Sequence, residues 1–328
     1  MKKLFMLSLI IIFLFPLVIF SQSSGYKITG KIDIGGKGWR DYVAVNAPMH
    51  RLYVSHANRV HVIDLKTNKL IGEIDGLNGV HGIVFDNALG KGFITNGRSD
   101  TVKDFELKTL KVTGNIQVTG KDPDAIIFDP FSHRVFTMNG RSDNITAIDA
   151  KTDKVVGTIK LESGPEFVVS NGKGLVYVNL EDKSKVVEFN PKTLKIVKTW
   201  SLAPGEGPSG LAMDVLNDIL FSGCHNKMMA ISNTKTGKVI TTVPIGGHVD
   251  GCGYDPETHL AFSSNGEGTL TVIKEISPKE FKVIDNITTE KGLRTMALDP
   301  ETHNIYLPGM LEGKDGNKSF GVLILGKK

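Results

Sequence analysis

Short runs of apolar residues, each closed by Asp, Asn or a small polar residue, are spaced along most of this chain. Seven share one shape: YVAVN (42–46), GIVFD (82–86), AIIFDP (125–130), FVVSN (167–171), GLAMD (210–214), GCGYDP (251–256) and TMALDP (295–300). Aligning Val45, Phe85, Phe128, Ser170, Met213, Tyr254 and Leu298 gives intervals of 40, 43, 42, 43, 41 and 44 residues. A period near 40–45 built only of short strands predicts one four-stranded unit per repeat, the blade of a β-propeller. The expected fold is all-β: seven antiparallel four-stranded blades around a central channel.

Blade 2 shows how one unit is written. An inner strand (81–86) is followed by the turn Asn87-Ala88-Leu89-Gly90, a second strand (92–96), the turn Gly97-Arg98-Ser99-Asp100, a third strand (101–107) and an outer strand (110–118). Asp or Asn opens the turn before the outer strand at Asp64, Asp149 and Asn190, each followed two and three residues on by Lys-Thr. Such a side chain accepts bonds from backbone amides just ahead of it and fixes a tight turn, which is a structural role. The last repeat stops one strand short, and an orphan strand (26–34) stands near the chain start. The N-terminal strand is therefore expected to complete blade 7, leaving no unpaired inner edge.

Ahead of the repeats, Met1-Lys2-Lys3 leads into the uncharged apolar run 4–20 and a small polar exit. This reads as a signal peptide (residues 1–21), with cleavage after Ser21 or retention as an anchor both open. Residues 22–328 then form a single propeller domain, expected to be exported to the periplasm or the extracellular space and monomeric. Without residues 1–21 the chain carries 37 basic against 35 acidic residues, a balance that gives little field for steering polyanions. The two cysteines, Cys224 and Cys252, are too few for a disulfide scaffold, although one bridge is allowed.

The strand ends Phe93-Ile94-Thr95-Asn96 and, more loosely, Tyr53-Val54-Ser55-His56, the latter followed by Val60-His61-Val62-Ile63-Asp64, resemble the YVTN-type repeats of the YncE-like propellers. The resemblance covers nearly all of the chain after the leader. It implies the seven-bladed fold but no single activity, because this group hosts binding proteins as well as enzymes.

Loops entering the inner strands lie at one end of the blades, together with loops joining second and third strands. One residue per blade is thereby placed on a rim: Asp41, His81, Asp124, Glu166, Ser209, Asp250 and Arg294. His56, Arg98 and Arg141 belong to the second set, and Trp39 and Arg40 precede the first inner strand. The rim varies in type while its flanking strands repeat, as expected of an asymmetric site for a small molecule or protein partner. A second expectation gathers Cys224, His225, His248 and Asp250 from blades 5 and 6 into a zinc or copper site. For the cysteines, metal ligation, a disulfide and plain burial all stay open. His50, His133, His259 and His303 recur at one turn position of the opposite face and are read as turn fillers.

The Gly-x-Ser-x-Gly elbow, the phosphate-binding loop, the zincin helix motif and the covalent haem motif are all absent from the sequence. Acidic residues interrupt any basic track on the rim, which argues against nucleic acid. A membrane is expected only through an uncleaved leader. The reading is an exported binding protein with its ligand at one channel mouth. The alternatives are an enzyme using rim His and carboxylates, either a metal-assisted lyase or lactonase or an oxidoreductase, and a protein-interaction scaffold.

Overall fold

A computed structural model describes residues 23–36, 38, 40–313 and 316–327. The leader expected at residues 1–21 lies outside them, as does Trp39. Seven four-stranded antiparallel sheets follow one another along the chain. Blade 1 consists of Arg40–Asn46, Arg51–His56, Arg59–Asp64 and Lys69–Ile74, running outward from the channel, and blades 2 to 6 repeat that order. Neighbouring inner strands touch all the way round, from blade 7 back to blade 1, so the ring is closed.

Closure is made by the N-terminal strand. Tyr26–Asp33 pairs antiparallel with Lys318–Lys327, placing Tyr26 opposite Lys327 and Asp33 opposite Gly321. The sheet order runs from Tyr26–Asp33 through Lys318–Lys327 and Ile305–Glu312 to the short inner strand Ala297–Leu298. Blade 7 is thus assembled from both ends of the propeller domain.

The repeat is held by an apolar layer at each blade interface. The second strand of every blade carries one aromatic at the same position: Tyr53, Phe93, Phe136, Tyr177, Phe221, Phe262 and Tyr306, each at most 2 % exposed. Seven buried clusters result, one per interface; Phe93 and Val102 of blade 2, for example, meet Ile126 and Val135 of blade 3. Turn chemistry agrees with the sequence. Asp86 Oδ1 accepts from the Ala88 and Leu89 amides, and Asp64 Oδ1 from those of Lys66 and Thr67. His50, His133, His259 and His303 all sit in left-handed turn conformations, with φ of 50°, 55°, 51° and 58°.

A polar ladder ties one blade to the next near the rim. Two residues after the aromatic, Ser55 donates to the carbonyl of His81 at 2.6 Å and Thr95 to that of Asp124 at 2.7 Å. Asn179 donates to the carbonyl of Ser209 at 2.9 Å, and Ser264 to that of Leu293 at 3.2 Å. In three of these four bonds the carbonyl belongs to the next blade's rim residue, and in the fourth to the residue just before Arg294.

Candidate functional site at the channel mouth

In blades 1 to 6 the inner strand carries a β-bulge at the rim position. Pairing in blade 1 jumps between Arg40 and Val43, and in blade 2 between Val80 and Ile83. Blades 3, 4 and 5 break between Pro123 and Ile126, Pro165 and Val168, and Pro208 and Leu211, and blade 6 between Val249 and Gly251. A bulge inserts an unpaired residue and re-aims its side chain. Here it turns the rim residues out of the sheet and towards the channel.

All seven aligned rim residues line a single cavity of about 500 Å³. Asp41, His81, Asp124 and Glu166 come from blades 1 to 4; Ser209, Asp250 and Arg294 complete the circle. Tyr42, Glu181, His225, His248 and Val249 also face it. The Tyr42 ring stacks on Phe167 with centroids 5.1 Å apart. Since blades 1 and 4 are not neighbours in the ring, that pair reaches across the channel.

The centre of the site is a histidine between two carboxylates. His81 Nδ1 lies 2.5 Å from Asp41 Oδ2 and 3.3 Å from Asp124 Oδ1, while Nε2 faces Asp122 Oδ1 at 4.0 Å. Across the mouth, Arg294 Nε meets Asp250 Oδ2 at 2.9 Å, and the Ser209 hydroxyl donates to Asp250 Oδ1 at 2.8 Å. His225 Nδ1 is 3.0 Å from Glu181 Oε1.

Crowding of anions in a partly dry site makes it hold protons. Burial, reinforced by the charges of Asp124, Glu181 and Asp250, raises Glu166 to about 9. Burial likewise raises Asp41 to about 7, against the pull of His81. Burial opposes a charged His81, but the carboxylates of Asp124 and Asp41 outweigh it and lift the imidazole to about 10. Burial also raises Asp250 despite Arg294. The Tyr42 phenol, buried among these carboxylates, keeps its proton well above the ordinary range and can act as a donor.

Several expected site residues lie elsewhere. His56 is buried away from the mouth; its ring stacks on Phe320 at 4.0 Å, and Nδ1 lies 3.0 Å from His61 Nε2. His61 in turn contacts the half-buried Glu73, and the contacts of both imidazoles with Phe320 place them at the interface of blades 1 and 7. Arg98 and Arg141 are exposed beside a neighbouring depression with Lys121, Asp100 and Asp122, where Arg141 Nε binds Asp122 Oδ2 at 2.9 Å. Arg40 belongs to the first strand of blade 1, and the stacking expected of Trp39 and Arg40 lies outside the described residues.

The expected metal set of Cys224, His225, His248 and Asp250 does not assemble. Both cysteines are free thiols. Cys224 is fully buried with Trp200 and Leu202 between blades 4 and 5, whereas Cys252 packs into the layer between blades 5 and 6. His225, the first turn residue after the strand Ile219–Cys224, reaches the mouth, while Cys224 faces the layer between blades 4 and 5. His225, His248 and Asp250 remain mouth residues. Among the described residues, the one group of three or more potential ligands drawn close together is Asp41, His81 and Asp124.

Tyr42 and Asp122 are site residues that sequence reasoning passed over. Tyr42 follows a rim residue inside a bulge that apolar alternation does not encode. Asp122 is legible only as the residue before Pro123, where it takes a left-handed conformation with φ of 57°.

Fold and site together define a seven-bladed β-propeller with a carboxylate-rich mouth. In comparisons with known proteins, no family model matches the chain and no curated protein is significantly similar to it.

Proposed function

We propose that this chain is an exported propeller of the YVTN/YncE-like group that binds a small cationic ligand at the channel mouth. One observation carries the reading. Asp41, Asp124, Glu166, Glu181 and Asp250 line the same cavity of about 500 Å³, five carboxyl groups against Arg294 and the histidines His81, His225 and His248. Bringing carboxylates together in a half-buried space is unfavourable unless protons or another cation offset their repulsion. Burial first, and the neighbouring carboxylates after it, raise Glu166 and Asp41. The face of Tyr42 adds a surface suited to an ammonium group. Export is supported by the basic start and apolar run that precede the repeats.

Thermal shift assays with matched organic amines and carboxylic acids test this reading. Cationic compounds are expected to raise the melting temperature, because a ligand that binds only the folded state stabilises it by mass action. Asp250→Asn should weaken the effect. Stabilisation by the acids and not by the amines would overturn the proposal.

A further inference from the structure

We propose that Asp41, His81 and Asp124, from three consecutive blades, form a seat for one first-row divalent cation of the zinc or manganese type. This deepens, and rests on, the reading of the mouth as a cation site. The potential ligand atoms of the three side chains all lie within 4.8 Å of one another. Zinc bonds to imidazole nitrogen and carboxylate oxygen are about 2.0–2.2 Å, which at tetrahedral angles separates ligand atoms by roughly 3.3 Å. His81 Nδ1 and Asp124 Oδ1 stand 3.3 Å apart. His81 Nδ1 and Asp41 Oδ2, at 2.5 Å, would have to part to admit the ion. That opening is about 0.8 Å, within the reach of side-chain rotation.

Two further features point to an ion rather than to a plain hydrogen-bonded triad. Asp124 Oδ1 is a buried atom, and its contact with His81 Nδ1 at 3.3 Å is long for a hydrogen bond between charged groups. A buried carboxylate oxygen held this loosely is costly, and a coordinated cation removes that cost. The second feature is the far side of the histidine. Metal-binding histidines commonly direct their other ring nitrogen at a carboxylate, which fixes the tautomer and the ring plane. His81 Nε2 faces Asp122 Oδ1 at 4.0 Å, an ion-pair rather than a hydrogen-bond distance, and Arg141 holds Asp122 in place. Gly97 leaves the room: a Cβ there would lie 2.5 Å from Asp122 Oδ1 and 2.7 Å from His81 Nε2. The imidazole among the donors favours zinc over magnesium or calcium, while the two carboxylates also suit manganese.

The test uses the chain freed of metal by chelator and dialysis, titrated calorimetrically with Zn²⁺ and Mn²⁺, with bound metal counted by elemental analysis. One ion per chain is expected. His81→Gln and Asp124→Asn should each lose at least tenfold in affinity, with folding verified by circular dichroism. Asp122→Asn, a positioning change, should lose about tenfold. His133→Asn on the opposite face should bind as the unaltered chain does. Metal retained in both His81→Gln and Asp124→Asn would overturn the seat, as would no binding at all. Putrescine, an organic dication, separates the two proposals. If it binds where the metals do not, the seat fails and the cation-binding mouth stands; if neither binds, both fall.

Discussion

The Thr95 hydroxyl of blade 2 donates to the carbonyl of Asp124 in blade 3 at 2.7 Å, and the same oxygen accepts from the Gly82 amide at 2.8 Å. One side chain of the repeated strand end thus anchors the backbone of a site residue in the next blade. Ser55 does the same for His81, so two members of the central cluster are held by the scaffold's own repeat.

Thr95→Val should therefore damage both stability and site. The exchange leaves the Gly82 amide and the Asp124 carbonyl buried without this partner, at a cost of about 1–3 kcal/mol. Urea unfolding should show a lower midpoint, and Thr95→Ser should recover most of it. An unchanged midpoint in Thr95→Val would remove the ladder from the account of how the rim is built.

Glu166 gives a pH prediction with a definite sign. Burial raises its carboxyl to about 9 in the folded chain, whereas an unfolded glutamate titrates near 4.3. Between those values the unfolded state has released the proton that the folded state keeps, so stability falls as pH rises through that window. His81 and Asp41, both raised in the fold, act in the same direction over their own windows, from about 6.5 to about 10 and from about 3.8 to about 7. Glu166→Gln should match the unaltered chain near pH 4 and melt progressively higher than it towards pH 9. Melting curves from pH 4 to 9 decide this, and parallel curves for the two proteins would contradict a protonated Glu166.

The closing strand can be removed directly. Ile32 packs with Phe320 and Val322 in the layer between blades 7 and 1. Deleting residues 23–35 bares the edge of Lys318–Lys327 together with that layer, and exposed edges pair with other chains. Light scattering should report association of the truncated protein. A monomer with the original melting temperature would refute closure by this strand.

The thiols should be silent in the native state. Burial raises Cys224 to about 11 and Cys252 further still, so the reactive thiolate is scarce at pH 8. A chromogenic disulfide reagent should detect no thiol in the native protein and two in denaturant. Finding none in denaturant would mean a bridge, contrary to the separate layers the two residues occupy.

Much of this molecule is local, and local features are legible in a chain. The period of 40–44 residues, the buried aromatic of each second strand and the Asp-led turns depend on neighbours within one blade. Alternation and turn chemistry express them without reference to the rest of the ring. The rim positions were legible for the same reason, since alignment of the repeats puts Asp41, His81 and Asp124 at one level. Which of them meet is decided by closure of the ring and by bulges that alternation does not predict. His81 reaches Asp41 and Asp124 because adjacent blades fan around an axis. Tyr42 reaches Phe167 only because blades 1 and 4 face each other across the channel. Conversely, His56 and Cys224 stand at strand ends that look like the mouth in sequence, yet the pleat sends their side chains into apolar layers between blades. The sequence by itself determined the scaffold and the level of the site, through interactions within one repeat. Only the tertiary structure decided the partners, because they come from different repeats and meet when the sheets close on one another.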